Sequence, residues 1–453
     1  MMFEWNSLSL RDCITHKKGY AFKSKDYQED GTPIVKVTNL TDNSIDMSSV
    51  VFVNEDIAKS NKSVSLKQND IIIATVGSWA TNPASVVGKT VKVPSGAQNA
   101  LLNQNAVIIR PIDEKIDKIF LYYLLKNQSF GKYLVSNAQG SANQASITLN
   151  DIYSYQTTIP SLLIQKKIAH ILSTLDDKIE LNRKMNQTLE EMAQALFKSW
   201  FVDFDPVHVK VNAAGREDAL GYKVGCTSDA ELEQAATALG VSKEVLELFP
   251  NSFVESEMGM IPEGWEGGSL SDIAVFENER ISQEELTQKN YISTENMLEN
   301  KKGIRDASSL PNSVSVPSFE PRQTLVSNIR PYFKKIWLAN ISGGRSADVL
   351  GFKSKDDNTN EFLFNVLYQD QFFAYMMLTS IGAKMPRGDK KAIMQFSMAL
   401  PSVKLMQFFS MKVKSFYTLV ANNHQEIKTL QKTRDTLLPK LLSGELDVSE
   451  VDI

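Results

Sequence analysis

The stretch SFYTLVANNHQEIKTLQ, residues 415–431, decides how the rest of the chain is read. Phe416, Val420, Ile427 and Leu430 fall on one side of a helix, and Asn423 interrupts them. The stripe continues in both directions. Met406, Phe409, Val413, Phe416, Val420, Asn423, Ile427, Leu430, Arg434, Leu437 and Leu441 alternate steps of three and four residues, which predicts a coiled-coil seam of about five heptads.

The same seam occurs once more, 241 residues upstream: Gln165, Ile168, Leu172, Leu175, Ile179, Asn182, Asn186, Leu189, Ala193, Leu196 and Trp200. Asn182 coincides with Asn423, and each helix follows a Pro-Ser pair, Pro160-Ser161 and Pro401-Ser402, where serine can cap the first turn. Each helix would be a rod of roughly 54 Å. If the repeats are related by a pseudo-twofold axis, the helices run antiparallel. Asn182 and Asn423 then meet near the middle, within about 3 to 4 Å directly or through one water. A buried amide pair of this kind costs stability and penalises slipped registers.

An internal repeat extends beyond the helices. WNSLSLRD at 5–12 resembles WEGGSLSD at 265–272, matching Trp5 with Trp265, Ser9 with Ser269, Leu10 with Leu270 and Asp12 with Asp272. Segments such as PIVKV, DIIIATVG, NAVIIRP, QTLVSNI and IWLANI are short, rich in Val and Ile, and punctuated by turn residues, which predicts strands. Short helices are expected at 118–135 and 361–377. The fold class is therefore α+β: two strand-rich globular domains separated by two long helices forming an antiparallel coiled coil, as a pseudo-twofold internal repeat. The expected boundaries are a first domain at 1–160, a central helix at 161–205, an acidic linker at 206–264, a second domain at 265–401, and a terminal helix and tail at 402–453.

The 453 residues carry a net charge of −4, which conceals a division. Residues 203–263 hold 12 acidic and 4 basic side chains, so the remainder is mildly basic. Residues 321–347 carry five Arg or Lys and no acid, with Tyr332, Phe333 and Trp337 interleaved, and KMPRGDKK at 384–391 has Asp389 as its only acid. Cations with interleaved rings suit a polyanion-binding face. A solvated surface accounts for any one tract equally well. No apolar run of about 18 residues could span a bilayer, and Glu4 and Arg11 break any signal-peptide core, so a cytoplasmic location is expected. Cys13 and Cys226 give no metal or disulfide framework.

Catalytic motifs are missing. PASVVGKT at 83–90 has Pro83 where a phosphate-binding loop requires glycine, and is read as a strand. His16, His170, His208 and His424 have no metal-ligand spacing, and His170 and His424 are expected on exposed helix faces. No Asn/Asp-Pro-Pro-Tyr/Phe signature occurs, which disfavours a stand-alone DNA methyltransferase.

Three segments together carry a family resemblance: LNRKMNQTLEEMAQALFKSWFVDFDPV at 181–207, FPNSFVESEMGMIPEGW at 249–265 and LQKTRDTLLPKLLSGELDV at 430–448. With two strand-rich domains between them, the chain resembles the specificity (S) subunit of type I restriction-modification enzymes along nearly its whole length. The resemblance implies two target-recognition domains, each reading half of a split, asymmetric double-stranded DNA site. It also implies two conserved helices that bind methyltransferase (M) subunits, two of them, with motor-nuclease (R) subunits completing the complex. The chain itself would be non-catalytic and hold no metal or cofactor; S-adenosylmethionine, ATP and Mg would sit on the partner subunits.

Within the first domain, THKKGYAFKSKDY at 15–27 offers Lys17, Lys18, Tyr20, Lys23 and Lys25 to DNA, although its aromatics equally suit a core. VGSWATNP at 76–83 offers Ser78, Trp79 and Asn82, and AQGSANQAS at 138–146 offers Ser141, Asn143 and Gln144, side chains of the kind that pair with adenine edges or position phosphates. In the second domain the candidates are Arg330, Lys334, Lys335, Arg345, Lys384, Arg387, Lys390 and Lys391, mostly for phosphate. Asn182, Leu189, Leu196, Asn423, Leu430 and Leu437 set the helix register. A coiled-coil scaffold whose end domains bind a non-DNA ligand is the alternative.

Overall fold

The structure is a computed structural model that describes residues 5–79, 86–112, 114–141, 144–217, 223–226 and 228–451. The chain divides into two compact units, residues 1–182 with 426–453, and residues 183–425. The second unit is continuous in sequence, whereas the first is completed by the last stretch of the chain; the long helices Leu162–Phe201 and Val403–Ser443 each contribute to both.

In the first unit, a four-stranded antiparallel sheet places Ile14–Lys18, Ala106–Pro111, Ile71–Ala74 and Thr90–Lys92 side by side. The run Ile71-Ile72-Ile73-Ala74 is apolar throughout because both sheet faces are covered. Ile71 and Ile73 point into a core with Phe120, Leu121 and Leu124, while Ile72 and Ala74 point the other way, against Val35, Leu66 and Leu102. The segment expected to be helical at 118–135 forms two helices, Lys118–Lys126 and Gln128–Asn137, parted at Asn127. Asp117 caps the first of them by accepting from the backbone N–H groups of Ile119 and Phe120.

The second unit repeats this plan with different side chains. Its sheet orders Ala274–Phe276, Val349–Ser354, Thr324–Ser327 and Ile336–Leu338, and its helix pair is Asn360–Tyr368 and Asp370–Leu378, parted at Gln369. Leu325 and Val326 again face two different cores. The repeated landmarks are adjacent in space within each unit: Asn6–Ser9 pairs with Gln156–Ile159, and Glu266–Ser269 with Ser397–Leu400. Each closing strand leads straight into a long helix, and Ser402 Oγ accepts from the Leu405 N–H at 3.3 Å.

The long helices pair antiparallel in both units. In the first, Asp176 meets Arg434 at 2.6 Å and Lys178 meets Glu426 at 3.6 Å. In the second, Phe197 and Trp200 pack on Phe409. Every predicted seam residue, Leu189, Leu196, Leu430 and Leu437 among them, is buried or half-buried, and His170 and His424 lie on exposed faces. The amides follow a different pattern from the one expected. Asn423 Nδ2 donates to Asn186 Oδ1 at 2.8 Å, and Asn182 Nδ2 donates to Glu426 Oε2 at 2.9 Å. Facing seam residues interleave, so each amide reaches a partner one helical turn along, and Asn186 with Asn423 forms the buried pair.

Described residues of the acidic segment fold rather than bridge loosely. Helix Asp205–Ala214 ends at Gly215, and helix Asp229–Leu239 opens on a Ser228/Glu231 capping box. Cys226, Ala235, Ala236 and Leu246 form a small core, while Asp229, Glu233, Glu244 and Glu247 stay exposed. Lys210 is buried and donates to the Phe249 carbonyl at 2.6 Å, and this burial lowers its pKa.

Two stability predictions follow from the helices. Asn423→Ala strands the buried Asn186 carbonyl oxygen and should cost about 1 to 3 kcal/mol in urea unfolding, whereas the double replacement by leucine should be nearly neutral. Burial, reinforced by Glu191, pushes the Glu190 carboxyl from 4.5 up to about 7. The folded state thus holds this proton more tightly than the unfolded chain does. Stability should be greatest below the unfolded pKa and fall by about 2 to 3 kcal/mol as pH rises through the folded one, a slope that Glu190→Gln removes.

Candidate nucleic-acid interface

In both units, candidate residues lie at one end of the four-stranded sheet. In the first, the strands stop at Lys18, Ala74 and, from the opposite direction, Ala106, leaving Gly19–Tyr20, Gln104–Asn105 and Thr75–Trp79 as neighbours. The Tyr20 N–H donates to the Leu102 carbonyl at 2.9 Å, and the Thr75 N–H donates to the Asn105 carbonyl at 2.9 Å. Gly19 is required here, since a Cβ would lie 1.9 Å from the Asn103 carbonyl oxygen.

The two polar loops of this unit come together as one sheet. Gln139–Ser141 and Gln144–Ser146 form a hairpin, and Val76–Gly77 pairs with Ala145 and Ser146 as the third strand. Trp79 Nε1 donates to the Ser141 carbonyl at 2.7 Å, tying one loop to the other. Ser78, half-buried, bridges to Val86. Ser141 and Gln144 are exposed, while Asn82 and Asn143 lie outside the described residues. Pro83 also lies outside them; the strand of that stretch is Thr90–Lys92. Lys17, Lys18, Lys23 and Lys25 are exposed. Tyr20 remains half exposed, with its ring edge-on to Phe22 at 5.0 Å, and Phe22 itself belongs to the core.

In the second unit, the strand Thr324–Ser327 runs into Asn328–Tyr332, which pairs with a second hairpin, Ser380–Ile381 with Arg387–Gly388. The Arg330 N–H donates to the Pro386 carbonyl at 2.8 Å, and Ile329 bridges to Arg387. Arg330 and Lys334 both adopt left-handed backbone, φ 50° and 49°, on either side of the turn Pro331–Phe333. Non-glycine residues held this way cost energy and cluster at binding sites. The two hairpins are equivalent in sequence too. At the 241-residue offset Thr148 matches Asp389, and each caps the short helix that follows its hairpin.

The charges at this end are partly neutralised. Lys334 and Lys301 share Asp370 at 3.1 and 2.8 Å, holding its carboxyl below the usual range, and Arg387 pairs with Asp348 at 2.7 Å. Lys335 donates to the Thr294 carbonyl at 2.8 Å, and its half-burial lowers its pKa. Arg330, Lys384, Lys390 and Lys391 are exposed. Arg345 requires a correction. It is 5% exposed, its two terminal nitrogens donate to the Val349 and Glu277 carbonyls at 2.6 Å, and burial pushes its pKa down to about 10. Its tract looked basic, but the Gly343–Arg345 strand turns this guanidinium inward, where carbonyls use its donors.

Asn328 was missed by sequence reasoning: it is buried, and its Oδ1 has no partner among the described residues. The alignment of DIIIATVGSW at 70–79 with QTLVSNIRPY at 323–332 could have found this segment, because it matches Trp79 with Tyr332. Among the described residues no group of three His, Cys, Asp or Glu could hold a metal, and no helix is long and apolar enough to cross a membrane.

Comparison with known proteins points to one family. Residues 2–191 match the family described as the type I restriction modification DNA specificity domain. The chain is 26% identical over 407 residues to the type I restriction enzyme HindI specificity subunit of Haemophilus influenzae, covering 84% of this chain and 87% of that one. It is 25% identical to the MjaIX specificity subunit of Methanocaldococcus jannaschii, covering 82% and 79%. A crystal structure of an S subunit from M. genitalium superposes with a TM-score of 0.51 at 15% identity, covering 97% of this chain and 96% of that one, a likeness of fold.

Burial separates the two kinds of arginine at this end. Arg345→Met should lower stability by about 2 to 4 kcal/mol in urea unfolding because it strands buried carbonyls, while Arg330→Ala should stay within about 0.5 kcal/mol.

Proposed function

Because the chain belongs to the family of type I restriction-modification specificity subunits, we propose that its two units read the unequal halves of a split double-stranded DNA site. The observation that carries this is the duplicated reading end: each unit sets a hairpin beside the segment that follows its central strand, and the two ends carry different side chains. Two unlike readers on related frames suit an asymmetric target. The helices, 40 and 41 residues long, would serve as spacer between half-sites separated by about one turn of DNA, roughly 34 to 36 Å.

The chain is a non-catalytic component. Methylation and cleavage would fall to M subunits, two of them, docked on the long helices, and to R subunits that complete the complex; S-adenosylmethionine, ATP and Mg would be bound by these partner subunits. Lys17, Lys18, Lys23 and Lys25 in one unit, and Arg330, Lys384, Lys390 and Lys391 in the other, would meet phosphate. Tyr20, Trp79, Ser141 and Gln144 would meet base edges.

Single-molecule methylation sequencing of DNA from cells expressing the chain with M subunits should return a non-palindromic site in two blocks; one contiguous palindromic block would overturn the reading. Binding by the purified chain should weaken steeply with salt, and Arg330→Ala and Lys384→Ala should each reduce the slope of log K against log salt by about 1. Binding insensitive to salt would instead favour a non-DNA ligand.

A further inference from the structure

The second hairpin carries a feature that phosphate contact leaves unused. Ile381 is 70% exposed and Met385 is 52% exposed, and Leu378, at the end of the preceding helix, is 83% exposed. Single exposed apolar residues are ordinary, but three within eight positions at a candidate binding edge are not.

The fold does not demand them. At the 241-residue offset the first hairpin has Gly140 for Ile381, Gln144 for Met385, and Asn137 stands for Leu378, so a hairpin forms at the equivalent place without apolar side chains at these positions. The surroundings identify the occupant. Between residues 378 and 391 the charges are Lys384, Arg387, Lys390 and Lys391 against the single acid Asp389, whose carboxylate accepts from the Lys391 and Ala392 N–H groups. An apolar tip ringed by cations fits a polyanion that offers apolar groups between its charges. Double-stranded DNA does so in the major groove, which admits a two-stranded ribbon and exposes the thymine C5 methyl.

We propose that Ile381 and Met385 read thymine methyl groups in the half-site of the second unit, with Lys384 neutralising phosphate beside them. The first hairpin, with Gly140 and Gln144 in the matching places and Ser141 beside them, reads its own half-site by hydrogen bonding. The inference rests on the DNA-reading function above and adds a chemistry of discrimination, different for each half.

The test uses the full chain. Methylation sequencing with M subunits first returns the wild-type site, and a duplex carrying it is then prepared with thymine or with uracil in each half in turn. Uracil in one half should weaken wild-type binding about four-fold for each contacted methyl, as expected for burial of one carbon. Uracil in the other half should have no effect. An Ile381→Ser, Met385→Ser double variant should bind the thymine and uracil duplexes alike, and in cells its methylated site should relax at T·A pairs of that half alone. Both positions are exposed, so the variant should unfold as the wild type does. If wild-type binding is indifferent to uracil and the variant keeps the site unchanged, the hairpin inference is overturned while the two-reader function stands. A wild-type chain that directs no methylation and binds no duplex overturns both.

Discussion

Each globular unit is closed by a helix segment from a distant part of the chain, and the contact between the two long helices makes that closure possible. In the first unit, Leu438, Leu441 and Leu442 share a core with Ile168 and Leu172, yet the whole second unit lies between them in sequence. Arg434 secures the join. It sits on the seam, pairs with Asp176 at 2.6 Å, and leaves the second oxygen of Asp176 to accept from the Tyr123 hydroxyl at 2.7 Å. Tyr123 belongs to the helix that covers the sheet, so one nearly buried carboxylate links both long helices to the globular part of the unit.

The second unit solves the same problem without charge. By the repeat offset Tyr417 occupies the place of Asp176 and Ala193 that of Arg434. The Tyr417 hydroxyl donates to Asn365 Oδ1 at 3.0 Å, Gln194 donates to the same oxygen, and Gln369 donates to Gln194. A buried ion pair and a buried amide network both demand one geometry, because a shifted register strands polar groups in a low-dielectric interior. Register is thus held in each unit, and Asn186 with Asn423 adds a further buried polar contact in the second.

The two units share a frame and differ in the surfaces at its end. The Ile71–Ala74 and Thr324–Ser327 strands keep their alternation between two cores, whereas the hairpins at their ends differ at nearly every exposed position. Backbone hydrogen bonds build the hairpins, so their side chains are free to vary. The left-handed Arg330 and Lys334 show a further means of aiming cations, through backbone conformation.

The helices, the repeat and the α+β class were legible in the sequence because periodicity records which face is buried, and burial favours apolar side chains wherever the partner lies. Helical spacing placed all the seam residues, and the twin Trp and Pro-Ser landmarks marked units whose first and last strands do pair. Partnership between polar groups was not legible. Asn182 and Asn423 look like a matched pair in sequence, but interleaving moves each amide one turn along, to Glu426 and Asn186. The basic tract at 321–347 likewise promised five cations, and the fold turned Arg345 inward, where carbonyl dipoles hold it. Side-chain periodicity carries the direction of burial, but a hydrogen bond depends on distances between segments far apart in the chain. Only the tertiary structure sets those distances.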